Sequence, residues 1–97
     1  SLQALALLND PALHEMAEQF ALLMLAHSAE SDSARVIFGF KRCTSRLPDS
    51  DELEVMLEFI SQQRKSTKSL DSIEQQKTVW LNVARVLLNL DETITRE

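Results

Sequence analysis

The side chains that could perform chemistry in this chain are few and scattered. Cys43 is the only cysteine, and as a nucleophile it would need a general base such as His14 or His27. The spacing between Cys43 and either histidine fits no local nucleophile motif. Because Cys43 also shares a predicted helix face with Phe40, we expect a buried and inert thiol. The sequence therefore predicts no catalytic residue.

Metal and cofactor sites are not predicted either. His14 and Glu18 are four residues apart and can point from one helix face, but two ligands are too few for a metal ion. Asp91 and Glu92 could serve as acid and base, yet adjacent residues on a helix do not face one another. The sequence also has no haem-attachment motif, phosphate loop or zinc-type cysteine spacing, so we expect no metal and no cofactor.

The composition of the 97 residues limits the function classes further. Ten basic against fifteen acidic residues give a net charge of −5, which disfavours a phosphate backbone as a partner, and no nucleic-acid binding is expected. No apolar run approaches the roughly 20 residues of a membrane-spanning helix, so no membrane insertion is expected. The length suits one domain, residues 1–97, with a modest core.

Apolar residues recur at helical spacing in four segments, and the chain has only one glycine and two prolines for turns. The predicted fold is therefore all-α, a compact bundle of four principal helices with short loops. Residues before Pro11 could add a further helical turn. The helices are expected near residues 11–27, 33–44, 50–64 and 72–89. The core is expected to contain Phe20, Phe40, Met56, Ile60, Trp80 and Leu87.

The first helix has a predicted inward stripe that leaves two leucines beside it. That stripe consists of Leu13, Met16, Ala17, Phe20, Leu23 and Met24. Leu22 and Leu25 are either singly exposed leucines, which are common, or a surface where another protein segment docks. In the second case we expect weak self-association through these two leucines. On the fourth helix, the predicted inward stripe begins at Ile73.

Between the second and third helices, the sequence predicts a helix stop, a tight turn and a restart. Pro48 disfavours helical backbone at the preceding residue, so Leu47 is expected to be extended. Asp49 and Glu52 have the spacing of a capping box, with Asp in place of Ser or Thr. Asp49 is therefore expected to accept a hydrogen bond from the backbone N–H of Glu52.

Arg46 lies between these two helices, and its role has two interpretations. Its planar fork of donors suits the carboxylate of Glu52, or that of Asp91 or Glu92 if the C-terminal segment folds back over the junction. Asn89 would then be a neighbouring polar anchor. The rival interpretation is that Arg46 binds an anionic substrate in a pocket.

Several segments resemble a planctomycete domain family of unknown function. Residues 40–53, FKRCTSRLPDSDEL, resemble its aromatic-basic-x-x-x-Gly/Ser-Arg-x-Pro-Thr-x-x-Glu segment, and residues 84–97, ARVLLNLDETITRE, resemble its C-terminus. Residues 4–17 are similar to the segment that opens its last helical region. The matching positions are Phe40, Ser45, Arg46, Pro48, Asp49, Glu52, Leu88, Asn89, Asp91 and Glu92.

The resemblance implies a setting for the chain. The family is the C-terminal domain of large, often exported planctomycete proteins, many of which also carry a cytochrome-c-like domain. We therefore expect an exported or cell-envelope location. The family domain is longer than these residues, and the first residue is Ser1, so we expect a C-terminal fragment of a longer domain.

Two functions remain open on the sequence. The first is a non-catalytic helical module, structural or protein-binding, at the C-terminus of a larger envelope protein, whose partner is the rest of the parent chain or another protein. The second is the C-terminal part of an enzyme, redox or polysaccharide-related, whose active site lies mainly outside these residues. We favour the first, because the sequence shows no nucleophile–base pair and no set of metal ligands.

Overall fold

The computed structural model describes residues 11–27 and 31–90. Within them the chain forms four α-helices and no strand: α1 (Pro11–Ala26), α2 (Asp32–Thr44), α3 (Ser50–Ser66) and α4 (Ser72–Leu90). Each helix begins and ends within two residues of its predicted bounds, so the all-α fold class is confirmed. The predicted N-terminal turn lies outside the described residues. None of the described helices is long and apolar enough to cross a membrane.

Polar side chains at the N-termini explain where three of the helices begin. The Ser31 hydroxyl accepts a hydrogen bond from the backbone N–H of Ala34 at 3.2 Å, at the start of α2. Asp71 accepts from the backbone N–H of Glu74 at 2.9 Å, at the start of α4. Asp49 caps α3. Each acceptor satisfies a backbone donor that has no partner within its own helix.

Helix α4 is the central element, because it packs against each of the other three helices and carries six buried apolar residues, more than any other described helix. It runs antiparallel to α1, since Leu13 and Leu88 border one hollow and Leu25 and Lys77 border another. All six residues predicted for the core are buried, and Trp80 and Leu87 have no exposed surface. The wide apolar arc of α4 is what allows it to face three neighbours at once.

The predicted inward face of α1 is wrong at two positions. Met16 is 51% exposed and Leu23 is 38% exposed, whereas Ala21 is buried. From Ala21 to Ala26 the helix is apolar at six successive positions, so hydrophobic periodicity does not fix which side faces the core. The packed side is the one that carries Ala17 and Ala21, whose small side chains let α4 approach closely.

The predicted inward position of Ile73 is also wrong, because its side chain is 66% exposed. Ile73 lies in the first turn of α4, and the buried residues of that helix begin only at Val79. The apolar stripe of the sequence therefore extends further than the packed part of the helix.

The single glycine is buried inside α2, where three helices meet. An added Cβ at Gly39 would lie 2.5 Å from the Met24 sulfur on α1 and 3.1 Å from a methyl carbon of Leu87 on α4. Such distances are too short for an unshifted side chain, so the absence of a Cβ lets these helices pack together.

Candidate functional site

The junction between α2 and α3 has the predicted stop, turn and restart. Ser45 has a left-handed backbone with φ of 65°, and its N–H donates to the Lys41 carbonyl at 2.8 Å, which ends α2. Residues 47–49 are not helical. The predicted capping box is present: the Glu52 N–H donates to Asp49 at 2.8 Å, and the Asp49 N–H donates to the Glu52 carboxylate at 2.9 Å.

Arg46 completes this junction through its guanidinium group. Its Nη1 and Nη2 atoms donate to the two carboxylate oxygens of Glu52 at 2.8 and 2.9 Å, a fork-to-fork arrangement. Nη1 also lies 3.3 Å from the Leu47 carbonyl. The guanidinium carbon stands 5.0 Å from the centre of the Phe40 ring, within range of a cation–π interaction. The predicted pairing of Arg46 with Glu52 is therefore present.

The fork changes the acidity of Glu52. The hydrogen bonds from Arg46, followed by that from the Asp49 backbone, lower the pKa of Glu52 from its ordinary 4.5 to about 2. Because folding lowers this pKa, the ionised pair stabilises the folded state above about pH 4.5, and the contribution is lost as the pH falls towards 2. The contribution is small, since the side chains of Arg46 and Glu52 are 44% and 33% exposed.

The junction brings together only part of the predicted set of site residues. Its members are Phe40, Arg46, Pro48, Asp49 and Glu52. Asn89 lies half-buried on the last turn of α4. Asp91 and Glu92 lie outside the described residues, so their role beside Arg46 stays a prediction.

A second arginine fork was missed by the sequence reasoning. Both terminal nitrogens of Arg64, in the last turn of α3, donate to the carboxylate of Asp32, in the first turn of α2; the Nη2–Oδ1 distance is 2.9 Å. These hydrogen bonds lower the pKa of Asp32 and raise that of Arg64. Helices α2 and α3 therefore form an antiparallel hairpin with an arginine–carboxylate fork at each end. The sequence did contain a signal for this pair, since Asp32 is an acid in the first turn of one helix and Arg64 is a base in the last turn of the next.

The other side chains considered for chemistry are not arranged as a catalytic group. His14 and Glu18 are 3.7 Å apart on the exposed side of α1. Cys43 is half-buried rather than buried as predicted, and its thiol lies 3.3 Å from the Leu87 carbonyl. Within residues 11–27 and 31–90, no three His, Cys, Asp or Glu side chains gather where they could hold a metal ion.

The remaining candidate is the apolar surface of α1, which has a groove on either side. The α1/α2 groove is bordered by Met16, Leu23, Arg42 and Cys43, among others. The α1/α4 groove is bordered by Glu18, Ala21, Leu22, Leu25, Lys77 and Leu81. Leu22 is 53% exposed, as both predicted alternatives require, whereas Leu25 is half-buried against the core.

A family model described as PSD1, protein of unknown function (DUF1553), matches residues 1–60. The chain belongs to the DUF1553 family. The match covers more than half of the 97 residues and includes the whole helix junction from Phe40 to Leu53. No curated protein and no solved structure matches the chain.

The DUF1553 match confirms part of the predicted family resemblance. It agrees with a domain of unknown function, and it includes Arg46 and Glu52. The description of the family names no organism and no position within a parent protein, so the planctomycete source and the C-terminal position stay predictions. The resemblance at residues 84–97 lies beyond the matched residues.

We expect the Arg46→Lys variant of this DUF1553 member to lose about 0.5–1 kcal/mol of unfolding free energy. Lysine keeps the positive charge, but it cannot form the two-pronged contact with Glu52 or the planar contact with Phe40. The pKa of Glu52 should rise above about 2. Urea unfolding and an NMR titration of the Glu52 carboxyl measure the two effects. The stability difference should shrink as the pH is lowered from 4.5 towards 2.

The matched control for this prediction is Arg42→Lys, because Arg42 is an exposed cation on the last turn of the same helix. This control should leave both the stability and the pKa of Glu52 unchanged. If Arg46→Lys behaved in the same way as the control, the structural role of Arg46 would be wrong, and an anionic ligand would be the better interpretation.

Proposed function

We propose that this chain is a non-catalytic helical module, structural or protein-binding, whose interaction surface is the outer side of α1. The observation that carries the proposal is the apolar character of that side. Six successive apolar residues, Ala21–Ala26, occupy more than one full turn, so they must point both into and out of the bundle. A helical segment that is apolar all round, as this one is, is typical of a buried position, which suggests that a partner covers its exposed part.

The exposed side chains of α1 support this proposal by their number and their neighbours. Met16, Leu22 and Leu23 are each between 38% and 53% exposed, within two turns of helix. Each borders one of the two apolar grooves described above. Large apolar residues on concave surfaces are the usual anchors of protein interfaces.

The outer side of α3 provides the contrast. Val55 is 66% exposed there, but its neighbours along the helix face are the acids Asp51, Glu54 and Glu58. A single apolar side chain among charged ones is an ordinary solvated surface. We therefore place the interaction surface on α1 and not on α3.

The setting of the module is proposed from the family resemblance of residues 40–53 and 84–97. We propose that these helices form the C-terminal part of a longer, exported planctomycete protein located in the cell envelope. The partner is then either the rest of the parent chain or another envelope protein.

Site-specific photo-crosslinking in cells that produce the full-length protein tests the proposed surface. A photoreactive amino acid at position 22 should give a crosslinked product containing a second polypeptide or a second part of the parent chain. The same residue at position 55 is the matched control, because Val55 is at least as exposed as Leu22 but is surrounded by acids. If position 22 gave no crosslink, or gave the same products as position 55, the proposed function would be wrong.

A further inference from the structure

We propose that the α1/α4 groove is the contact surface of a symmetric homodimer, in which Glu18 of each copy pairs with Lys77 of the other. The inference rests on the proposed function and names the partner as a second copy of this chain.

The centre of the groove is apolar and accessible. Leu22 is 53% exposed, and Leu25 and Leu81 are half-buried beside it. Ala21 forms part of the floor and is only 5% exposed. An apolar centre with charged residues at its margin is the arrangement of many protein interfaces.

The two charges at the margin are opposite in sign and lie towards opposite ends of the groove. Glu18 on α1 is one turn before Leu22 and nearly two turns before Leu25. Because α1 and α4 are antiparallel, Lys77 lies towards the Leu25 end. Neither Glu18 nor Lys77 forms an ion pair with an Asp, Glu, Lys or Arg side chain of α1 or α4, and the neighbour of Glu18 is His14 at 3.7 Å.

This placement makes the groove self-complementary. A two-fold axis through the centre, near Leu22, places the Glu18 end of one copy on the Lys77 end of the other. Both interfacial pairs then have opposite charges, while the leucines of the two copies meet in the middle. A partner that was acidic or basic throughout would leave one of the two charges facing a like charge.

Sedimentation equilibrium measured over a range of concentrations tests the dimer. The wild-type chain should show a monomer–dimer equilibrium in the micromolar to millimolar range, which is typical of a small interface. The variant Leu22→Glu should be monomeric, because it places two carboxylates at the apolar centre. Leu22 is half exposed, so the fold should be preserved, and circular dichroism checks this.

Charge reversal provides the sharper test. Glu18→Lys and Lys77→Glu should each weaken self-association by at least about tenfold, because like charges then face each other in both pairs. An equimolar mixture of the two single variants should recover the association, since a mixed dimer has opposite charges in both pairs. The double variant Glu18→Lys, Lys77→Glu should also recover it.

The outcomes separate this inference from the proposed function. A chain that is monomeric at all concentrations, or single variants that do not recover on mixing, would overturn the homodimer. Crosslinking of position 22 to a different protein, with a monomeric chain in solution, would also overturn the homodimer but would support the proposed interaction surface. If the chain dimerised only after residues 1–10 had been removed, that segment would be the occupant of the groove in the full chain, and the homodimer would be overturned.

Discussion

Replacing Trp80 with alanine should lower the free energy of unfolding by about 3–5 kcal/mol. Trp80 lies on α4, which contacts each of the other three helices, and its side chain has no exposed surface. Removal of the indole therefore leaves a cavity in the middle of the bundle that the surrounding helices cannot fill completely. The loss is a large fraction of the roughly 5–15 kcal/mol that stabilises a domain of ordinary size.

A second contribution to this loss comes from Arg35. Its guanidinium carbon lies 5.3 Å from the centre of the Trp80 ring, so the substitution also removes a cation–π contact between α2 and α4. Trp80→Phe should cost less than Trp80→Ala, because it keeps most of the apolar volume. The indole N–H has no acceptor among the described residues, so this milder change loses no hydrogen bond there.

The matched control is Ile73→Ala on the same helix. Ile73 is 66% exposed, so its truncation should change the unfolding free energy by less than about 0.5 kcal/mol. Urea unfolding followed by circular dichroism measures all three variants. If Trp80→Ala had an effect as small as that of Ile73→Ala, the assignment of the core face of α4 would be wrong.

The second large effect is expected at Gly39, where adding a side chain should be costly. Gly39→Val should destabilise the protein by about 1–3 kcal/mol, because its Cβ would lie 2.5 Å from the Met24 sulfur and 3.1 Å from a Leu87 methyl carbon. Met24 has no exposed surface, so its side chain cannot move aside into solvent. Replacing a glycine within a helix gains at most roughly 1 kcal/mol of helix propensity, and the steric cost at this site should exceed that gain.

A double-variant cycle separates the steric effect from helix propensity. Gly39→Ala should destabilise the wild-type chain, but in a Met24→Ala background the shortest of these contacts is absent. In that background Gly39→Ala should be close to neutral or stabilising, because the gain in helix propensity remains. Equal destabilisation in both backgrounds would show that Met24 is not the obstacle.

Features that depend on residues close together in the sequence could be predicted. The bounds of the four helices follow from apolar spacing and from capping residues. The junction follows from Pro48, the Asp49–Glu52 capping box and the adjacent Arg46, all within seven residues. Local backbone geometry nearly determines which of these side chains can contact one another, and the contacts do not depend on how the four helices pack.

Features that depend on how the helices pack could not be predicted. Arg64 and Asp32 are 32 residues apart, and their pairing requires α2 and α3 to be antiparallel neighbours. The orientation of α1 is decided by the fit of Ala17 and Ala21 against α4, which a uniformly apolar segment does not reveal. A single glycine within a helical pattern indicates that a packing reason exists at Gly39. The sequence does not indicate that its neighbours are Met24 and Leu87.

The burial of Trp80 also has an optical consequence. The chain has one tryptophan and no tyrosine, so its intrinsic ultraviolet emission comes almost entirely from a ring enclosed in the bundle. Among the residues that the structure describes, no aromatic side chain borders the α1/α4 groove. Emission therefore responds when the bundle opens but not when a second molecule covers that groove. Unfolding and assembly can thus be followed in the same sample, the first by fluorescence and the second by light scattering.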